Sequence, residues 1–383
     1  MIPLVGLISC LIMLLCAAVL LFRIKEIQRL GDDVSEPLAA PPSLSVIIAA
    51  CNEENTIEPA LRRLMSDCEP NWEIIVVEDR SSDGTRALLE RLAADSEHRL
   101  RLVLIDELPD GWLGKVHALH QGSLVASGDW LLFSDADIHI DGALIRQTLA
   151  HVERQRLDHL ALLPKLTTKT FLTRIVIAAF VAVFALSSSR KRRQDAAQLN
   201  HGVGVGAFNL CRRSVFRRSE GFEWLRLEVA DDLALGLAMK RAGARHEVLI
   251  ATWGLEVEWY PDLAGMFRGL EKNSFGAACH YSYPRALGAV VGLSLWALGP
   301  LCCVWTHPFA CFLAYGSMAA VGFLGARHLN WNVLPFFFAP VGFFFIGLMI
   351  ANSAWSAWRR GSIRWRGTDY DLDELRRCQV LRL

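Results

Sequence analysis

The stretch Trp130–Ile140, WLLFSDADIHI, carries more information about the fold class of this chain than any other. Its first part, Trp130 to Ser134, is a short apolar run, which predicts a strand buried in a parallel sheet. Asp135 and Asp137 follow at the carboxyl end of that strand, where open α/β sheets place their ligands. Since side chains at i and i+2 of an extended segment point the same way, one cation could meet both carboxylates. An acidic turn is the alternative, and the surrounding motifs must decide between the two.

The composition of the chain indicates a membrane protein. Hydrophobic residues make up 52% of its 383 residues and the mean hydropathy is +0.28, more than an ordinary soluble enzyme carries. The formal net charge is +0, so bulk electrostatics give no reason to expect a nucleic-acid partner. The ten cysteines show no CxxC or zinc-like spacing, which predicts a reduced catalytic part without a disulfide framework.

The apolar excess lies at the two ends of the chain. Residues 2–22 carry no charge and are long enough to span a bilayer. They lack the preceding basic region and the following small-x-small site of a signal peptide. Because Arg23, Lys25 and Arg29 follow, the positive-inside rule predicts an uncleaved anchor (1–24) with this flank in the cytoplasm.

A second apolar region, 286–358, predicts two to three transmembrane segments, and a basic tail, 359–383, follows it. One anchor plus three full spans would place that tail outside the cytoplasm, against the positive-inside rule. Either one segment is therefore re-entrant, or one pair forms a single broken element.

The middle of the chain, 43–283, alternates strand and helix patterns, which predicts an α/β domain with a Rossmann-like, mostly parallel sheet. A helix is expected to open at Asn52. The other predicted elements are strands at 43–50, 72–79, 101–106, 130–134 and 158–164, and helices at 111–128 and 227–243. The apolar stretch 171–189, followed by the basic run 190–193, predicts a helix in the membrane interface, with a buried core helix as the alternative.

Six motifs, in order, resemble those of family 2 glycosyltransferases with a GT-A fold. They lie within residues 43–280 and read SVIIAACNEEN, IIVVEDRSSDGT, GWLGKVHAL, SDAD, GVGVGAFNL and VADDLALG. The flanking membrane segments resemble the integral-membrane branch that glycosylates lipids such as ceramide, carotenoid or hopanoid derivatives. The resemblance implies an inverting hexosyltransferase that moves a sugar from a nucleotide sugar, expected to be UDP-linked, to a lipid hydroxyl. It would be a multi-pass protein of the inner or plasma membrane, with a cytoplasmic catalytic domain.

The resemblance also implies donor-binding residues. Asn52, Glu53 and Asp79 would contact the base and ribose, although Asn52 could instead cap a helix. Lys115 follows a Gly-Trp-Leu-Gly turn and would meet the diphosphate or the base carbonyl. Asp135 would reach the ribose or the sugar. Asp83, by contrast, is expected to cap its turn.

The remaining roles concern the metal and the base. Asp137, with Asp135, would hold a divalent cation, Mg²⁺ or Mn²⁺, that stabilises the departing diphosphate. Asp232 would take the proton of the acceptor hydroxyl, with Asp231 as its partner, where relatives carry Glu-Asp. An acidic first helical turn, favourable to the helix dipole, is the alternative for this pair.

The segment after WYPDLAGMFRG lacks the QxxRW motif of many membrane relatives. The candidates for acceptor or diphosphate contacts in its place are Arg268, Glu271, Lys272 and Asn273. Glu271 and Lys272 could equally form a surface ion pair of little value. Near the end, IRWRGTDY (363–370) resembles a WxGxxY tail of the lipid-modifying branch, in which Trp365 and Arg366 are expected to be interface anchors.

Two other functions are open alternatives. A polyprenyl-phosphate sugar transferase shares the fold and donor, but its phosphate acceptor needs less help from a base. A catalytically inactive membrane scaffold could use the same fold. A dinucleotide oxidoreductase is disfavoured, because the glycine run 201–206 does not have the GxGxxG spacing.

Overall fold

The computed structural model describes residues 2–24, 26, 28–30, 38, 40–96, 99–187, 195, 198–251 and 253–381. Lys25 and the basic run 190–193, which entered the predictions above, lie outside the described residues. The described helices are α1 Ile2–Ile24, α2 Ile57–Ser66, α3 Thr85–Asp95, α4 Gly114–Val125, α5 Gly142–Arg154, α6 Phe171–Ser187, α7 Arg213–Phe216, α8 Gly221–Trp224, α9 Asp231–Arg241, α10 Leu263–Cys279, α11 Tyr283–Leu298, α12 Pro308–Leu329, α13 Leu334–Phe337, α14 Ala339–Arg360 and α15 Leu372–Cys378. The strands are β1 Arg29–Leu30, β2 Leu44–Ala50, β3 Trp72–Asp79, β4 Leu100–Ile105, β5 Trp130–Asp135, β6 His139–Ile140, β7 His159–Leu163, β8 Lys165–Thr167, β9 Asn209–Arg212, β10 His246–Ala251, β11 Leu255–Glu258, β12 Ser362–Trp365 and β13 Thr368–Asp371.

The central sheet has the strand order β1-β10-β7-β9-β5-β2-β3-β4. Its neighbouring strands pair in parallel, except that β9 runs antiparallel between β7 and β5. The prediction of a mostly parallel α/β sheet is therefore confirmed. No strand was predicted at β1, β9 or β10, and β9 follows the glycine run.

Both faces of this sheet are buried, as the continuous apolar runs predict. Ile47 and Phe133 pack in the core on one face, while Ile48 and Leu132 pack in the core on the other. The alternation follows from the two-residue period of a strand. Burying each such side chain stabilises the fold by about 1.5–3 kcal/mol.

One predicted boundary is wrong in a way that matters for the site. Helix α2 begins at Ile57, after Thr56, rather than at Asn52. Asn52 has a left-handed backbone (φ 56), and its Oδ1 accepts a hydrogen bond from the Ser82 N–H at 2.8 Å. Asn52 thus ties the loop after β2 to the loop after β3 and caps no helix.

Four of the described helices are long and apolar enough to cross a membrane: α1, α11 extended to Cys303, α12 and α14. Helix α12 lies along α1, because Gly325 approaches Ile24 at one end while Cys303, just before α12, approaches Gly6 at the other. Helix α14 packs against α11, where Phe343 stacks on Trp296 with ring centroids 3.9 Å apart.

The segment after α14 returns to the α/β domain. Strands β12 and β13 form an antiparallel hairpin, here called the C-terminal hairpin (362–371), and α15 follows it. Leu375 and Leu381 are buried in the same core as Val229. The Glu228 carboxylate accepts hydrogen bonds from the N–H groups of Val380 and Leu381 at 3.1 and 3.2 Å. The predicted basic tail therefore packs as part of the α/β domain.

Candidate active site

A cavity of about 1150 Å³ opens at the carboxyl ends of β2, β3 and β5. The predicted site residues that line it are Asn52, Glu53, Asp79, Lys115, Asp135, Asp137, Asp231, Asp232, Lys272 and Asn273. Arg268 and Glu271 are not among the described lining residues, and Glu271 pairs with Arg360 instead. Successive side chains of a helix point roughly 100° apart, so α10 can turn Lys272 into the cavity while Glu271 faces elsewhere.

Lys115 joins the two acidic segments of the site. Its Nζ lies 2.7 Å from Asp135 Oδ1 and 3.2 Å from Asp231 Oδ2. Desolvation lowers the pKa of Lys115, but the nearby carboxylates of Asp135 and Asp231 outweigh this, and the net shift is upward. Desolvation likewise raises the pKa of Asp135, but Lys115 brings it below its ordinary value. Lys115 is therefore a cation and Asp135 an anion.

Asp137 stands in a different environment. The pKa of Asp137 is raised to about 6. Desolvation by burial is the largest cause, and the negative charges of Asp135 and Glu53 add to it. Carboxylate oxygens such as those of Asp135 and Asp137 are suitable ligands for a hard divalent cation. No three His, Cys, Asp or Glu side chains of the described residues converge as a metal cluster. Mg²⁺ sites commonly combine one or two carboxylates with substrate phosphates, and the residues present fit that pattern.

The first turn of α9 presents the second acidic pair. Asp232 Oδ2 accepts a hydrogen bond from the Gly206 N–H at 2.9 Å. Asp231 is buried, and desolvation raises its pKa despite the neighbouring charge of Lys115. A Cβ atom on Gly206 would lie 2.7 Å from Asp135 Oδ2, so the glycine lets the backbone pass between the two acidic segments. The Gly206 backbone thus approaches the site carboxylates directly.

The loops after β2 and β3 form the part of the cavity wall that carries the residues predicted to contact the base and the ribose. Asp79 accepts two hydrogen bonds from the Arg80 guanidinium, at 2.7 and 3.2 Å. Arg80 also lines the cavity and was not predicted. Asp83 accepts from the Thr85 N–H at 3.0 Å and acts as a turn cap, as expected.

The C-terminal hairpin supplies residues to the wall of the cavity, among them Trp365 and Arg366. Arg366 donates to the Cys51 carbonyl oxygen and, at 2.6 Å, to Glu53 Oε1. Trp365 lies beneath Lys272, whose Nζ is 3.6 Å from the ring centroid. Both hairpin residues line the cavity, with Arg366 on the Glu53 carboxylate and Trp365 beneath the Lys272 ammonium group. Arg366 and Gly367 both have positive φ and form the turn of the hairpin.

The same cavity continues between the apolar helices. This part of its wall comes from α6, α10, α11 and α14, and includes Val176, Phe180, Leu270, Leu293, Ile346 and Ile350. Phe180 packs against Trp259 with ring centroids 4.8 Å apart. One continuous space therefore has an acidic end at the sheet and an apolar end among the helices.

The model of the family named glycosyl transferase family 2 matches residues 45–219. The chain contains a glycosyl transferase family 2 domain. The match begins in β2 and extends past β9, so it includes the loops after β2, β3 and β5 and the Gly206 segment. In fold, the chain is similar to the mannosyltransferase PcManGT of Pyrobaculum calidifontis, solved with GDP-Man and Mn²⁺. That similarity has a TM-score of 0.54 at 16% identity and covers 94% of this chain and 99% of that one. The family 2 domain has the GT-A fold that its motifs predicted.

Two curated proteins illustrate the sequence similarity. The chain is 33% identical over 99 residues to the 4,4'-diaponeurosporenoate glycosyltransferase of Staphylococcus haemolyticus, covering 26% of this chain and 25% of the relative. It is also 33% identical over 99 residues to the undecaprenyl-phosphate 4-deoxy-4-formamido-L-arabinose transferase of Pectobacterium carotovorum, covering 25% of this chain and 29% of the relative. The chain thus spans less than a third of the length of either relative.

Proposed function

We propose that this protein is a membrane-bound inverting glycosyltransferase that moves a sugar from a nucleotide sugar to a lipid hydroxyl. The observation that carries the proposal is the single cavity that joins the acidic edge of the GT-A sheet to the space between apolar helices. A polar donor and an apolar acceptor can meet in such a space. The family 2 domain supplies the expectation of sugar transfer.

The donor would occupy the acidic end of the cavity. Asn52, Glu53 and Asp79 offer hydrogen-bond acceptors for a base and a ribose at the ends of β2 and β3. The sequence resemblance favours UDP as the nucleotide. Lys115 and Lys272 would provide positive charge for the diphosphate.

A divalent cation, Mg²⁺ or Mn²⁺, would be held by Asp137 and Asp135. When bound, it would act as a Lewis acid and stabilise the charge that develops on the departing diphosphate. Lys115 contacts Asp135 and so helps to orient that carboxylate.

Transfer requires one bond to form and one to break. The acceptor hydroxyl oxygen attacks the anomeric carbon from the face opposite the diphosphate, and the bond from that carbon to the phosphate oxygen breaks. The hydroxyl proton passes to the Asp232 carboxylate, which the Gly206 N–H holds in place. Asp231 is anchored by Lys115 and serves as a positioning partner.

The acceptor is a lipid in this proposal. Its apolar chain would enter between α6 and α14, where Val176, Phe180 and Ile346 line the cavity. The two curated relatives bear the names of a diaponeurosporenoate and an undecaprenyl-phosphate transferase, which is consistent with a lipid class.

We place the catalytic domain and the C-terminal hairpin on the same, cytoplasmic side of an inner or plasma membrane. The hydrogen bond between Arg366 and Glu53 requires an even number of crossings between the domain and the hairpin. Helices α11 and α12 supply two crossings. The segment before α14 turns back beside α12, where a Cβ on Gly322 would lie 2.9 Å from the Phe336 carbonyl oxygen. Helix α14 would then be the returning arm of a re-entrant element, which is one of the two alternatives that the sequence left open.

A second candidate is a sugar transferase that uses a polyprenyl phosphate, favoured by the Pectobacterium carotovorum relative. A phosphate acceptor is already ionised near neutral pH and needs less help from a base. If Asp232→Asn retained sugar transfer, that result would therefore favour a phosphate acceptor over a hydroxyl acceptor.

The test is a donor screen on detergent-purified protein with UDP-, GDP- and dTDP-sugars, with and without Mn²⁺. We expect metal-dependent hydrolysis of one nucleotide sugar that is lost in Asp137→Ala. Failure of the wild-type protein to bind any sugar nucleotide would reject the transferase and favour an inactive scaffold.

A further inference from the structure

The C-terminal hairpin places a guanidinium group over the donor end of the cavity. Arg366 occupies the hairpin turn with φ 47, and Gly367 follows with φ 85. Its side chain is 44% exposed and bonds Glu53 Oε1 and the Cys51 carbonyl oxygen. A guanidinium has five N–H donors, so donors remain for a further ligand.

The hairpin is braced against the parts of the site that carry the other cations. The Tyr370 hydroxyl accepts a hydrogen bond from the Gly114 N–H at 3.4 Å, at the start of the helix that carries Lys115. The Trp365 ring lies beneath the Lys272 ammonium group. The hairpin therefore sits between α4 and α10 and holds the position of Arg366 relative to both lysines.

Two other cations of this part of the cavity, Arg80 and Lys115, already pair with carboxylates. Arg80 is bound to Asp79 through two nitrogens, and Lys115 is shared between Asp135 and Asp231. A nucleoside diphosphate brings at least two further negative charges into a cavity lined by several carboxylates. An arginine matches phosphate geometry with two parallel N–H donors, which a lysine cannot do.

We infer that Arg366 is a donor-binding residue whose guanidinium contacts the diphosphate of the nucleotide sugar. This inference rests on the proposed function. Arg366 would exchange part of its contact with Glu53 for the phosphate oxygens, which would leave Glu53 able to accept from the ribose hydroxyls. The segment after the last apolar helix would thus complete the donor site.

The experiment compares the affinity of purified full-length protein for UDP, GDP and uridine, in Mn²⁺, by isothermal titration calorimetry. Arg366→Ala is expected to weaken binding of the diphosphate by on the order of 10- to 100-fold, the loss typical of charged hydrogen bonds, and to leave uridine binding unchanged. Arg366→Lys should give an intermediate loss. Arg364→Ala is the matched control, because Arg364 lies on the same hairpin in an exposed ion pair with Asp369 at 2.7 Å.

The outcomes separate this inference from the function on which it rests. If the wild-type protein binds neither UDP nor GDP, the proposed donor site itself is rejected. If the wild type binds UDP and Arg366→Ala binds it equally well, the assignment of Arg366 is overturned. An equal loss of UDP and uridine would also overturn it, since Arg366 would then only position Glu53 or the loop after β2. An unchanged thermal unfolding midpoint of Arg366→Lys would show that its weaker UDP binding does not come from misfolding.

Discussion

The Nδ1 atoms of His159 and His246 lie 2.5 Å apart in the protein core, and their contact belongs to a hydrogen-bond chain that ends on Asp232. His246 Nε2 accepts from the Val203 N–H, so neutral His246 carries its proton on Nδ1 and donates it to His159. His159 then donates from Nε2 to Asn209 Oδ1 at 2.6 Å, and Asn209 Nδ2 donates to the Asp232 carbonyl oxygen. Each group in this hydrogen-bond chain donates toward Asp232. The chain therefore fixes the position of the Asp232 backbone, and Asp232 is the proposed base.

Breaking this chain should affect both stability and turnover. His159→Leu removes the partner of Asn209 Oδ1, and an unsatisfied buried acceptor costs about 1–3 kcal/mol of the free energy of unfolding. We also expect kcat to fall, because the Asp232 backbone would shift. The KM for the donor should change little, because the residues proposed to bind the donor would keep their positions. His159→Gln should restore part of both quantities. Unchanged kcat in a stably folded His159→Leu protein would argue against a positioning role.

The same histidine predicts a dependence of stability on pH. Burial lowers the pKa of His159 to about 4, against an ordinary value of about 6.5 in the unfolded chain. Between these values the unfolded state binds more protons than the native state, so stability rises with pH across this window and is lost as pH falls through it. Thermal unfolding midpoints measured from pH 4 to pH 7 should show this slope. His159→Gln should flatten it, and an equal slope in both proteins would assign the effect to other groups.

Asp232→Asn should separate donor binding from transfer. The amide keeps the shape of the side chain but cannot take the acceptor proton, so transfer should fall by about 10²–10⁴-fold. Donor affinity should stay near the wild-type value, because Asp232 is not one of the residues proposed to contact the nucleotide. Asp83→Asn, at the turn cap on the same cavity edge of the sheet, is the control and should transfer normally.

Gly206→Ala tests the close approach between the two acidic segments. The added Cβ would meet Asp135 Oδ2 at 2.7 Å, which displaces either the carboxylate or the Gly206 N–H that holds Asp232. Metal-dependent donor hydrolysis should drop by at least an order of magnitude, by analogy with the loss of a preorganised hydrogen-bond donor. Gly288→Ala is the matched control, since a Cβ there meets nothing within 4 Å. Full activity in Gly206→Ala would show that the segment can relax without disturbing the site.

Ile346→Trp should narrow the apolar end of the cavity. The larger ring would fill space proposed for the lipid chain, so the KM for the lipid acceptor should rise while donor hydrolysis without acceptor stays unchanged. Leu348→Trp, on the same helix with the side chain 37% exposed and outside the cavity lining, should behave like the wild type. Kinetics with lipid in mixed micelles would measure the difference, and equal effects of both variants would point to a general disturbance of α14.

Local patterns were sufficient for strands β2, β3, β4, β5 and β7 of the central sheet and for much of the acidic site. The apolar run before Asp135 and Asp137 predicts a strand because burial on both faces demands continuous apolar residues. The carboxyl ends of parallel strands meet at one edge, which brings the loops after β2, β3 and β5 together. The strand β9 and the start of α2 escaped prediction. One is a short strand after glycines, and the other depends on loop-to-loop hydrogen bonds of Asn52.

The amino-acid pattern alone predicted five strands of the central sheet, the apolar ends and the acidic motifs, because backbone preferences and burial periodicity act over a few residues. Long-range packing brings Arg366 to Glu53 across 313 residues of sequence and Trp365 beneath Lys272. The same packing makes α6 and α14 share a cavity with the carboxylates. These contacts depend on how distant elements pack, which the local pattern around each residue does not encode.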